Sequence, residues 1–178
     1  MARQTAWTSV LVLMTLLWAL GAAGQAAGQT AAPAASPSNY TIPIGQPIGV
    51  DDARKAVAAA MAEAQQNHWF MAAAVVDPDG ELVYFERMDN VQRGSIKVAI
   101  GKVRSAALYK RPTKAFEDGV AAGGAGVRLL GLEGAVPLEC GIPLLVNGKL
   151  VGAIGLSGDL SSNDGKCAKA GAEALGKK

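Results

Sequence analysis

The sequence predicts an α/β domain of the α+β kind, a mainly antiparallel sheet flanked by helices. Three observations carry this. The β-rich runs "FMAAAVV" and "ELVYFERM" are joined by Asp77-Pro78-Asp79-Gly80, and a second pair, "GIPLLV" and "KLVGAIGLS", flanks Asn147-Gly148. Alanine-rich stretches of helical periodicity stand before, between and after these hairpins. The order helix, hairpin, helix, hairpin, helix favours antiparallel strands with helices packed against them.

The elements follow in order. Arg3 is the only charged residue before Asp51, and it precedes an apolar core of eleven residues, Val10 to Leu20. That length suits the core of a signal peptide and is too short for a membrane span. Residues 1–28 are expected to be a signal peptide, cut after Gly24 or Gly28. Residues 29–47, rich in Ala, Pro, Ser and Gln, read as a flexible leader, and 48–178 as one domain. Ala53, Val57, Ala60, Met61 and Ala64 recur at helical spacing from Asp51 to Gln66, with two aspartates favouring the first turn through the helix dipole.

In the first hairpin, Pro78 pre-sets a turn and Gly80 supplies a positive φ. Ile96, Ala99, Ile100, Val103 and Ala107 form the stripe of a second helix, which must stop near Lys110 because Pro112 disfavours helix in the residue before it. Thr113 is placed to cap a short helix through Asp118. Asn147-Gly148 is a two-residue hairpin signal, both positions needing φ above zero. Asp164 is expected to cap a terminal helix that buries Cys167, Ala170, Gly171, Ala174 and Leu175.

The formal charge is +2, or +1 without Arg3, so charge suggests neither nucleic acid nor an anionic membrane as partner. Without the leading segment no anchor remains, and the expected location is periplasmic or secreted. The run "GAIGLSGDLSSNDGK" has neither dinucleotide-binding nor P-loop spacing, and its strand belongs to a hairpin. Gly152, Gly155 and Gly158 therefore mark close approach of a helix or ligand, or a bulge.

"AAAVVDPDGELVYFERMDN", "SIKVAIGKVRSAA" with its "RPT", and "GIPLLVNGKLVGAIGLSG" followed by "DGKCAKAGAEAL" resemble the GlcG/HbpS family of haem-degrading and PduO C-terminal-like domains. The resemblance spans about Val50 to Leu175. It implies a profilin- or PAS-like domain, a homo-oligomer, and haem as the cofactor of some members. It adds Thr113 as a residue near the haem ligand site, and it places one cysteine at position 167 and more often glycine at position 140.

Haem needs a flat apolar slot, an axial ligand and cations for its propionates. His68, the single histidine, is one candidate ligand, with Tyr109 and Met88 as alternatives. Ser95, Lys102 and Tyr109 are spaced seven apart, a line at the edge of the second helix's stripe, from which Lys102 can reach an anionic ligand. Arg87 can hold a carboxylate or pair with Glu86 or Asp89. The carboxylates of Asp77, Asp79 and Glu81 belong to the turn, so no metal site is expected. Cys140 and Cys167 are open to two readings, a disulfide in an oxidising compartment or packing alone.

No nucleophile and base are tied by spacing to the single histidine, so no catalytic set emerges and the chain leans away from being an enzyme. Two functions stand. One is an exported haem-binding protein for sequestration or sensing. The other is an enzyme or accessory protein for a small carboxylic metabolite, related to glycolate utilisation, held by Lys102 and Arg87.

Overall fold

The computed structural model describes residues 41–176. The segment expected to be a signal peptide, 1–28, and the expected leader as far as residue 40 lie outside the described residues. Helix α1 spans Val50–Gln66, strand β1 Ala72–Val76, β2 Leu82–Arg87, α2 Ser95–Leu108 and α3 Lys114–Ala121. A 3₁₀ segment, Gly124–Gly131, precedes β3 Ile142–Val146, β4 Lys149–Ser157 and α4 Ser161–Gly176.

The four strands form one antiparallel sheet in the order β2-β1-β4-β3. Both expected hairpins are present. In the first, the Asp77 carboxylate accepts from the N–H groups of Asp79 and Glu81, each at 2.9 Å, and Gly80 has φ +83°. The Asp77 carboxylate is therefore occupied by its own turn. In the second, Asn147 and Gly148 have φ +50° and +73°, the paired positive angles that match the twist of the flanking strands.

The strand period separates two cores. Ala73, Val75, Ile154 and Leu156 face α1 and α4 and pack with Ala56, Val57, Ala60, Cys167 and Ala168. Ala74, Val76 and Ala153 face α2 and pack with Val103, Ala106 and Ala107. A Cβ at Gly155 would lie 2.9 Å from the Val103 nitrogen and 3.1 Å from the Ala99 oxygen, so glycine there lets α2 lie directly on β4. The chain before α1 also joins the sheet: Leu150 N–H donates to Pro43 O at 2.9 Å, Gly45 N–H to Leu150 O at 2.8 Å and Ile48 N–H to Val151 O at 2.8 Å. This stretch takes up pairing along β4 where β1 ends.

Three local expectations differ. Thr113 precedes α3, but its hydroxyl makes no cap: it donates to Leu138 O at 2.5 Å and accepts from Gly141 N–H at 2.8 Å. Asp164 lies inside the first turn of α4 with its side chain turned inward. On α2 the buried positions are Ser95, Ala99, Lys102, Val103, Ser105, Ala106 and Ala107, whereas Ile96 and Ile100 are half-buried. Ala99, Val103 and Ala107 are buried as expected, and the stripe extends on one side to Ser95 and Lys102, the lysine being admitted with its counter-charge Asp164.

Candidate functional site

Beyond the last β3 pair, Ile142 with Ile154, the chain leaves the sheet edge at Cys140, whose φ is +111°. Leu156 would lose its partners there. Its N–H instead donates to Cys140 Sγ at 3.0 Å, and its carbonyl accepts from Lys102 Nζ at 3.3 Å. Lys102 comes from α2 on one face of the sheet and continues to Asp164 of α4 on the other, Nζ to Oδ2 at 2.8 Å. Lys102 is 1% exposed and Asp164 2%. Burial pushes the Asp164 carboxyl up, and the hydrogen bond and charge of Lys102 draw it back.

This corrects the expected role of Lys102. The anion it reaches belongs to its own chain, and its ammonium is closed to solvent. Arg87 is exposed at the end of β2 and has no ion pair among the described residues. The register pairs Ala72 with both Arg87 and Ser157, so Arg87 lies two strands from the β4 end, roughly 10 Å at the backbone. Arg87 and Lys102 form no common anion clamp. Tyr109 donates to Glu133 O at 2.6 Å and sets its ring edge-on to Phe116. Thr113 is buried with its hydroxyl engaged twice. The Met88 sulfur accepts from Met71 N–H at 3.4 Å.

The disulfide reading is also corrected: Cys140 and Cys167 are free, buried thiols. Burial raises both, Cys167 to about 12, so neither offers a thiolate near neutral pH. Cys140 serves as acceptor for the Leu156 amide.

His68 stands apart from this interior. It follows α1 at φ +60°, exposed, on the rim of an open depression of about 530 Å³. Phe70, Asn90, Val91, Gln92, Gly158, Asp159 and Leu160 line the rest. Phe70 is 52% exposed and Leu160 71%, large apolar surfaces that the fold leaves in water. Gly158 makes this geometry possible, because a Cβ there would run into the Phe70 carbonyl. The volume falls in the range of small-molecule sites, about 300–1,000 Å³. A second concavity, about 550 Å³, lies between Gly45–Gly49, the β3–β4 turn and Leu175. No His, Met, Cys or Tyr lines it.

The depression therefore offers an imidazole beside exposed apolar side chains, with Arg93 next to its wall residue Gln92. Of the three candidate haem ligands, His68 alone lines this depression; its neighbours Phe70 and Leu160 carry no periodic signal in the sequence, where Leu160 between Asp159 and two serines was the available clue.

The family model described as "Haem degrading protein HbpS-like" matches residues 48–173. The chain belongs to this HbpS-like family. It is 37% identical to Protein GlcG of Escherichia coli strain K12 over 101 residues, 57% of this chain and 74% of that protein. Its fold also matches solved structures. A double mutant of HbpS from Streptomyces reticuli gives a TM-score of 0.68 at 27% identity, covering 82% of this chain and 97% of that one. The structure titled PduOC:Heme Complex gives 0.65 at 25% identity, covering 72% and 94%. The four-stranded antiparallel sheet flanked by helices is thus the HbpS-like fold, and a haem complex exists within this structural neighbourhood.

Proposed function

We propose that this HbpS-like chain is an exported haem-binding protein that holds the tetrapyrrole in the depression beside His68. The observation that carries the reading is the imidazole beside the exposed apolar side chains of Phe70 and Leu160, with half-buried Val91 in the wall. His68 would supply the axial nitrogen, the apolar side chains the contact with the macrocycle, and Arg93 or Arg87 a partner for propionate. Haem bound here would supply a redox-active iron. The haem-degrading family and the PduOC haem complex add support.

The carboxylic-metabolite reading loses support because Lys102 is committed to Asp164. Because one chain covers only one side of so open a depression, a homo-oligomer is part of the proposal.

Purified mature protein is expected to give a saturable Soret shift at one haemin per chain. His68→Ala is expected to weaken binding at least tenfold and move the Soret band, as loss of one strong ligand contact implies. Unchanged affinity and spectrum in His68→Ala would overturn the site. Intact mass of protein from the envelope fraction should place the first residue at Gln25 or Gln29, and light scattering should exceed the single-chain mass. Retained Met1 would refute export, and a monomer would refute assembly.

A further inference from the structure

We infer that Asp164, neutralised by Lys102, is a positioning residue for the ligand site: its carboxylate fixes the Gly158–Leu160 turn that forms one wall of the depression. The inference rests on the haem-site reading for its functional part, and its geometry stands apart from it. Asp164 Oδ1 accepts from Asp159 N–H at 3.0 Å. Oδ2 is held by Lys102 Nζ at 2.8 Å, and that ammonium is anchored in turn on Leu156 O. The segment from Leu156 to Asp159 is thus pinned at both ends, at the Leu156 carbonyl and the Asp159 amide, by one buried pair contributed from α2 and α4.

The rest of the turn is held by the first turn of α4, where Leu160 O accepts from Asn163 N–H at 2.8 Å and Asp164 N–H at 3.0 Å, and these bonds leave the Asp159 amide to the Asp164 side chain. Asp159 and Leu160 are exposed, and the Asp159 carboxylate accepts only from local groups, Leu160 N–H at 2.7 Å and Asn163 Nδ2 at 2.9 Å. Gly158 must pass close to the Phe70 carbonyl for Phe70 and Leu160 to line the same depression. A charged pair taken out of water at this place, where an apolar pair of similar size could pack, fits a requirement for fixed geometry better than one for stability. The pair also connects α2 with the ligand-bearing wall across the sheet, so Lys102 acts on the ligand through Asp164 and the turn, without touching it.

The test compares two variants that both lack buried charge. Lys102→Met/Asp164→Asn keeps an acceptor oxygen for the Asp159 amide; Lys102→Met/Asp164→Leu has none. Haemin affinity is expected to be at least tenfold weaker in the Leu variant than in the Asn variant. Amide exchange at Asp159 in haem-free protein should be faster in the Leu variant by a similar factor. Should the Leu variant fail to fold, Lys102→Met/Asp164→Ala removes the acceptor without added bulk. Equal affinity and equal exchange would overturn the positioning role. If the native chain takes up no haemin, the haem reading fails, and amide exchange alone decides whether the pair holds the turn.

Discussion

Lys102→Met is expected to lower the melting temperature by roughly 10 °C. Removing one partner of a buried ion pair costs about 3–5 kcal/mol, because the other charge is left without compensation, and about 2–4 °C is lost per kcal/mol in a domain of this size. Asp164 is the group left behind, and the Leu156 carbonyl also loses its donor. Without Lys102 to draw it down, the Asp164 carboxyl rises further above its unfolded value. A carboxyl raised in the folded state favours folding below its unfolded pKa, and that contribution is lost as pH climbs through the folded pKa. The deficit of the variant relative to the native chain should therefore shrink as pH is lowered from neutral. Thermal melts at several pH values measure it. A melting temperature within 2 °C of the native chain at neutral pH would show that the pair is not buried as described.

Gly155→Val is expected to destabilise the domain by about 3 kcal/mol or more, at the upper end of the cost of overpacking. The added Cβ alone would lie 2.9 Å from the Val103 nitrogen and 3.1 Å from the Ala99 oxygen, backbone atoms of α2 that cannot rotate away. Branching at Cβ leaves no rotamer that avoids the helix, so α2 must lift from the sheet and open the contacts of Val103, Ala106 and Ala107 with Ala74, Val76 and Ala153. Gly148→Ala is the control: nothing lies within 4 Å of a Cβ there, so only its positive φ resists substitution. Denaturant unfolding should rank Gly155→Val well below Gly148→Ala, and the reverse order would mean that α2 and β4 are not in this close contact.

Much of the fold was legible because its signals are local. Asn147-Gly148 and Asp77-Pro78-Asp79-Gly80 each specify a turn by backbone chemistry alone, and the alanine periodicity of α1 identifies its buried side. On α2, Ala99, Val103 and Ala107 are buried as expected, but one edge of the stripe was misread because Ile96 and Ile100 outrank Ser95 and Lys102 on any hydrophobic scale. The true stripe becomes visible only when Lys102 is matched with Asp164, 62 positions away. Thr113 was given a local duty for the same reason, while its actual partners, Leu138 and Gly141, lie 25 and 28 positions on. In the site, His68 stood out by being the single histidine, but Phe70 and Leu160 come together only through the approach of Gly158 to the Phe70 carbonyl.

The strand order has a kinetic consequence. Each hairpin joins neighbours in sequence and can close in microseconds, but the central ladder pairs Ala72 with Ser157, 85 positions apart (157 minus 72). The entropy of closing that loop must be met before any β1–β4 contact rewards it, so the docking of two preformed hairpins sets the pace of folding. Until it happens, β1, buried along its whole length in the finished domain, presents five apolar residues at an unpaired edge. For this chain the hazardous interval is the search of one hairpin for the other, when a second molecule's β4 competes with its own.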